Sequence, residues 1–169
     1  MKFSEILKIS SEHLKESGVD DSSADAELLI LHAAGIDRLN AYRDNPEIDE
    51  KTFSKVSKLL ERRAEGEPVQ YITGQIEFLG LKIKVGRGLL IPRPETELLV
   101  EKALAIIEQK FYIDKTGKMK ILDIGTGSGC IALAIAKNVS LSFDLAVTAV
   151  DISRRALKIA LRNAKIHDI

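Results

Sequence analysis

At 169 residues the chain is long enough for one domain, or for a small domain and part of another. Its 25 basic and 25 acidic residues cancel, with 45% apolar and 30% charged residues, which argues against a disordered chain and against a surface dominated by polyanion binding. The start, Met1-Lys2-Phe3-Ser4-Glu5, lacks the apolar stretch of a signal peptide, and no run approaches the roughly 18 apolar residues of a membrane span. A cytoplasmic protein is expected, with no membrane and no nucleic acid as its direct partner. A single cysteine, Cys130, forbids an internal disulfide, and His13, His32 and His167 are too scattered to ligate a metal.

Residues 1–67 carry helical periodicity. Phe3, Ile6, Leu7 and Leu14 recur at helical spacing and stop at Gly18, which suits the position just past a helix. Ser22, with Asp25 three residues on, predicts the cap of a second helix that passes Leu31 and ends at Gly35. Phe53, Val56, Leu59, Leu60 and Ala64 form a third stripe between Asp49 and the Gly66-Glu67-Pro68 punctuation. Amphipathic helices must bury their apolar faces on one another, so this segment reads as a small helical bundle.

From Gln75 the period becomes two: Ile76 and Phe78, then Leu81, Ile83 and Val85 alternating with Lys82 and Lys84. That pattern predicts a hairpin turning near Leu79-Gly80, within a linker over residues 68–92. Pro92-Arg93-Pro94 then starts a long helix to about Lys110, with Pro94 at its first position and Glu95 and Glu97 in its first turn. A connector from Phe111 to Met119 follows. The remainder reads as a strand (120–124), a helix (129–137), a strand (145–150) and a helix (153–165), the first half of a doubly wound α/β domain.

The chemistry is concentrated in Asp123-Ile124-Gly125-Thr126-Gly127-Ser128-Gly129, which closes the first of these strands and opens the helix after it. Glycines there let backbone approach a ligand closely, and exposed N–H groups and the helix start favour an anionic group. Asp151 ends the next strand, 22 residues after Gly129, where βαβ geometry brings a carboxylate to the ribose hydroxyls of a nucleoside cofactor. A dinucleotide fingerprint wants a small third residue where Cys130 stands, which weakens an NAD oxidoreductase reading. A P-loop wants Gly-Lys-Ser/Thr, and Gly129 is followed by Cys130 and Ile131. Cys130 reads as a small buried residue rather than a reactive thiol.

The pattern acidic-x-Gly-x-Gly-x-Gly resembles the first motif of S-adenosylmethionine-dependent methyltransferases. Further segments narrow the resemblance: Pro68-Val69-Gln70-Tyr71-Ile72-Thr73-Gly74 and Leu90-Ile91-Pro92-Arg93-Pro94-Glu95-Thr96-Glu97, in order before the glycine turn, are similar to the HemK/PrmC family. Its members methylate a glutamine side chain of peptide chain release factors. The resemblance covers the whole chain. It implies an N-terminal helical substrate-docking domain over residues 1–67, a β-hairpin linker over 68–92, and the first part of a Rossmann-like class I methyltransferase domain over 93–169.

It also implies that S-adenosyl-L-methionine is the cofactor, held by Asp123, Gly125, Thr126, Gly127, Ser128, Gly129 and Asp151. Asp123 would face the cofactor's amino group and Asp151 its ribose hydroxyls, while Arg93 would lie near the cofactor and substrate mouth. The family's catalytic Asn-Pro-Pro-Tyr is expected after a later strand, beyond Ile169; Asn45-Pro46, followed by Glu47, cannot fill that role. No catalytic residue is therefore expected among these 169 residues, and the fragment by itself is expected to be inactive. Two neighbouring readings stay open: a glutamine methyltransferase acting on a ribosomal protein, and a non-catalytic substrate-binding fragment. Gln70 and Tyr71 read as packing residues, and Arg154, Lys158 and Arg162, spaced by four, as a solvated basic face.

Overall fold

The computed structural model describes residues 1–113, 118–139 and 144–169. The chain divides into two compact units, Met1–Thr73 and Gly74–Ile169.

The first unit is helical: α1 (Phe3–Glu16), α2 (Ser22–Ala34), α3 (Arg38–Asp44), α4 (Glu50–Ala64) and α5 (Val69–Thr73). Phe3, Ile6 and Leu14 of α1, Ala26, Leu29 and Ile30 of α2, and Val56 and Leu60 of α4 merge into one buried core, as their helical spacing requires. Val69 and Ile72 of α5 join that core, so the unit runs to Thr73, past the Pro68 punctuation where the helical pattern ends in the sequence. Asp49 caps α4 by accepting the Thr52 N–H at 2.6 Å.

The cap of α2 differs from expectation. Asp21 takes the N-cap position, without a side-chain cap bond, and Ser22 is buried as the first helical residue. With Asp21 at the cap, Asp25 is the fourth helical residue, one past the capping-box position, and its carboxylate pairs with Arg63 of α4 at 2.6 Å. A tertiary ion pair has replaced the local bond. Asn45 also finds a structural role: it ends α3 in the left-handed region and accepts the Ser4 N–H at 2.9 Å, while the Pro46 carbonyl accepts the Phe3 N–H.

The second unit begins with the expected hairpin, β1 (Gln75–Phe78) antiparallel to β2 (Leu81–Lys84), with Phe78 opposite Leu81. Leu79 and Gly80 turn it with φ of +45° and +76°, the signs of a tight hairpin turn. The helix α6 (Glu95–Ile113) starts directly after Pro94. It absorbs residues 111–113 of the expected connector, and 118–119 already belong to the next strand; residues 114–117 lie outside the described residues. Then come β3 (Lys118–Ile124), α7 (Cys130–Asn138), β4 (Asp144–Val150) and α8 (Arg154–Ile166), with β3 and β4 parallel. This strand-helix-strand-helix order is an incomplete Rossmann-like arrangement. None of the described helices is long and apolar enough to cross a membrane.

The acidic start of α6 does more than complement the helix dipole. Glu97 accepts the Leu79 N–H at 3.0 Å and so pins the hairpin turn. Glu97→Ala should cost about 1 kcal/mol, because that half-buried N–H loses its acceptor, whereas Glu97→Gln keeps an acceptor oxygen and should recover most of it. Urea unfolding of the three proteins measures the difference.

Candidate functional site

Two strand ends and the turn between them build the site, all within the second unit. Asp123 pairs with Ala149, and Ile124 with Val150, so β3 and β4 deliver their C-terminal ends to one edge, where open α/β sheets bind ligands. Asp123 is the penultimate residue of β3, and Asp151 follows β4 directly. The turn over residues 125–129 has φ of +78°, +57° and +83° at its three glycines. Only glycine enters that region without strain, which explains the alternating spacing.

Hydrogen bonds set the shape of the turn. The Gly125 and Thr126 N–H groups both donate to the Val150 carbonyl, at 2.8 and 2.9 Å, folding the turn over the end of β4. Gly129 N–H donates to the Thr126 carbonyl at 2.8 Å, and Gly127 N–H to Asp151 Oδ2 at 2.8 Å. Four turn amides are thus engaged inside the protein, contrary to the expectation that they face a ligand. A polyphosphate cradle needs several converging free amides, so this shape adds to the case against a nucleoside-triphosphate site.

The two carboxylates are held in place and retain acceptor capacity. Asp151 accepts the Ser153 N–H on Oδ1 and the Gly127 N–H on Oδ2, both at 2.8 Å. These two backbone donors, Ser153 first, hold its carboxyl below the ordinary value of 3.8. A carboxylate offers about four acceptor positions, so each Asp151 oxygen keeps a place for an outside donor, which matches a pair of neighbouring hydroxyls. Thr126 Oγ1 donates to Asp123 Oδ2 at 2.6 Å; Oδ1 makes no hydrogen bond among the described residues and can face a cationic amine. A Cβ built on Gly127 meets nothing within 4 Å, so the surface between the two acids is open. These features fit an adenosine-type cofactor bearing an amino acid.

The close packing that supports the turn falls at Gly129. A Cβ there would come within 3.1 Å of the Ala160 Cβ on α8. Thr126 and Ser128 are buried, and Ser128 Oγ has no hydrogen-bond partner among the described residues. Cys130 is buried in the first turn of α7, and that burial pushes its thiol up, which suits packing and not nucleophilic chemistry.

Asp123, residues 125–129 and Asp151 therefore come together, while Arg93 does not join them through any polar contact. Its side chain is exposed and makes no hydrogen bond or ion pair among the described residues. Arg154, Lys158 and Arg162 are exposed on α8. Asn163 was not singled out from the sequence: this fully buried α8 residue donates to the Ser128 carbonyl at 2.9 Å. An Asn in the last turn of α8, on one stripe with Ala156 and Ala160, was the available signal, because a polar side chain on a small-residue stripe that packs inward needs a partner.

A family model described as the PrmC N-terminal domain matches residues 5–74, and one described as a methyltransferase domain matches residues 115–169. Among curated proteins, the release factor glutamine methyltransferase of Thermodesulfovibrio yellowstonii is 45% identical over 145 residues, covering 86% of this chain and 50% of that protein. Those of Haemophilus influenzae and Bacillus subtilis are 41% and 42% identical, covering 89% and 95% of this chain and 53% and 54% of those proteins. The chain spans about half the length of these relatives. With a PrmC N-terminal domain followed by a methyltransferase domain, the chain belongs to the HemK/PrmC family.

Proposed function

We propose that this chain supplies the cofactor-binding half of an S-adenosylmethionine-dependent methyltransferase that modifies a glutamine side chain of a peptide chain release factor. The observation that carries this reading is the pair of oriented carboxylates, Asp123 and Asp151, on either side of an open glycine turn. Relatives aligned with 86% and 89% of this chain bear that activity in their names. S-adenosylmethionine, when bound, supplies an electrophilic methyl group on a sulfonium. The residues of this chain act on its two ends: Asp123 Oδ1 attracts the amino group, and Asp151 accepts the ribose hydroxyls. Both contacts orient the methyl donor and leave the chemistry itself to other groups.

A glutamine amide nitrogen is a poor nucleophile because its lone pair is delocalised into the carbonyl. Catalysis must therefore aim that nitrogen at the methyl group and hold the amide hydrogens, which is the role the resemblance gives to Asn-Pro-Pro-Tyr. Arg93, between two prolines that stiffen its backbone, stands free on the surface for a substrate contact. The helical unit, with its own core, is the docking surface for the release factor.

The gene should encode an in-frame Asn-Pro-Pro-Tyr beyond codon 169. The complete protein with S-adenosylmethionine should then add one methyl group to a glutamine of purified release factor, read by peptide mass spectrometry. Deleting residues 1–73 should spare cofactor binding and slow turnover on intact release factor. Methylation of a ribosomal protein in place of release factor would refute the substrate, and an undiminished rate after the deletion would refute the docking role.

A further inference from the structure

The glycine motif and the Pro-Arg-Pro-Glu-Thr-Glu segment have nothing in common as sequences, yet one side chain links their surroundings. Asn163 of α8 is 0% exposed and uses all of its carboxamide. Its Nδ2 donates to the carbonyl of Ser128 at 2.9 Å and to that of Lys84 at 2.9 Å, and its Oδ1 accepts the Lys84 N–H at 2.8 Å. Ser128 lies in the glycine turn, and Lys84 is the last residue of β2. The same hairpin carries Leu79, whose N–H is held by Glu97 at the start of α6.

We propose that Asn163 is a positioning residue of the cofactor site: its carboxamide locks the glycine turn and the end of the β-hairpin into one arrangement, so that cofactor affinity depends on a side chain that touches no cofactor. This rests on the cofactor reading above. Among the described residues, the Ser128 carbonyl makes the turn's one hydrogen bond to a side chain outside the two strands and their acids, and without it residues 127–129 are tethered only at their ends. Ala160, one turn before Asn163 on the same face, sits against Gly129, so the fit of α8 on the turn leaves room for no larger group. At the C-terminal end of α8, the His167 ring lies 3.0 Å from the Lys82 carbonyl, a second link to the hairpin.

The side chain needed here must donate twice and accept once in one plane. Aspartate keeps the acceptor but can donate only when protonated, and leucine keeps the volume without any polar atom. Facing two carbonyl oxygens in a buried place, an aspartate introduced there would favour its protonated form as pH falls, regaining one donated bond.

The test uses the 169-residue chain and the complete protein, each with Asn163→Asp and Asn163→Leu, and S-adenosylmethionine as the calorimetric probe. In the complete protein, both variants should bind about tenfold more weakly than wild type at pH 8, the loss expected for a buried donor set removed. The ratio of Asn163→Asp to wild-type affinity should move back toward one between pH 8 and pH 5.5, while the leucine ratio should not. In the 169-residue chain without cofactor, amide hydrogen exchange at Gly127 and Gly129 should quicken in both variants at pH 8. Unchanged affinity in both folded variants, or a pH-independent ratio for Asn163→Asp, overturns the proposal. If wild type binds no S-adenosylmethionine, the cofactor reading fails, and the exchange measurement alone decides the clamp: unaltered exchange at Gly127 and Gly129 overturns it too.

Discussion

Gly129→Ala should destabilise the second unit more than any other single change in the glycine turn. Two costs combine at that position. The residue has φ +83°, where an L side chain is strained by about 1–3 kcal/mol, and the new methyl would press on Ala160 Cβ at 3.1 Å and Cα at 3.3 Å, adding about 1–3 kcal/mol of overpacking. The Ala160 backbone cannot rotate away as a flexible side chain would, so α8 must shift. Gly127→Val makes the contrast. Its φ of +57° brings strain, but nothing lies within 4 Å of the new Cβ, so stability should fall by only about 1–3 kcal/mol. Its branched side chain would instead fill the open surface between Asp123 and Asp151. Urea unfolding should rank Gly129→Ala as the less stable, and calorimetry should find S-adenosylmethionine binding abolished in Gly127→Val while the fold persists. Normal binding in Gly127→Val would mean that the cofactor does not lie over this turn.

Asp151→Ala should weaken S-adenosylmethionine binding by roughly ten- to a hundredfold, because two ribose hydroxyls lose a charged acceptor and Gly127 N–H loses the partner that fixes the turn. Asp151→Asn should fall in between, since its one oxygen can still accept. The pH dependence follows from the direction of the Asp151 shift. Its folded value lies below the ordinary 3.8, so the contribution of the carboxylate to turn stability is fully present above that ordinary value and is lost as pH falls through the lowered one. The Gly127 amide resonance should therefore stay constant from neutral pH down to about pH 4 and move only below it. A Gly127 titration near neutrality would show that another group controls the turn, and an unchanged dissociation constant in folded Asp151→Ala would remove Asp151 from the site.

Sequence pattern alone was enough for the three long helices of the first unit, the Leu79-Gly80 hairpin, and the alternating parallel strands and helices of the second. In the three helices and the hairpin the apolar period matches the face the element buries, with Gly, Pro or Asp at their ends; in β3 and β4 the apolar run itself was the signal, although Leu122, Ile124 and Val150 are exposed. The acid, glycine turn and second acid were legible for the same reason: backbone at φ above zero admits little besides glycine, and a strand end presents its carboxylate in a predictable place. Short α3 and α5 were not legible. Seven and five residues carry too little periodicity to register, and tertiary burial of Ala41, Val69 and Ile72 holds them.

Tertiary structure alone decided how the polar groups are partnered. Asp25 reads locally as part of a helix cap but is paired with Arg63, which lies 38 residues away. Glu97 reads as a dipole-matching residue but holds Leu79, and the turn amides that seem to await a ligand bond to Val150 and Asp151 instead. Asn163 gathers Ser128 and Lys84 from 35 and 79 residues away. A hydrogen bond depends on distance and direction within a few tenths of an ångström, and chain separation carries no trace of either. Hydrophobic period, by contrast, needs only the right residue on the right face, so the sequence declares its longer helices and its hairpin openly and leaves the short helices and the choice of polar partners to the packed fold.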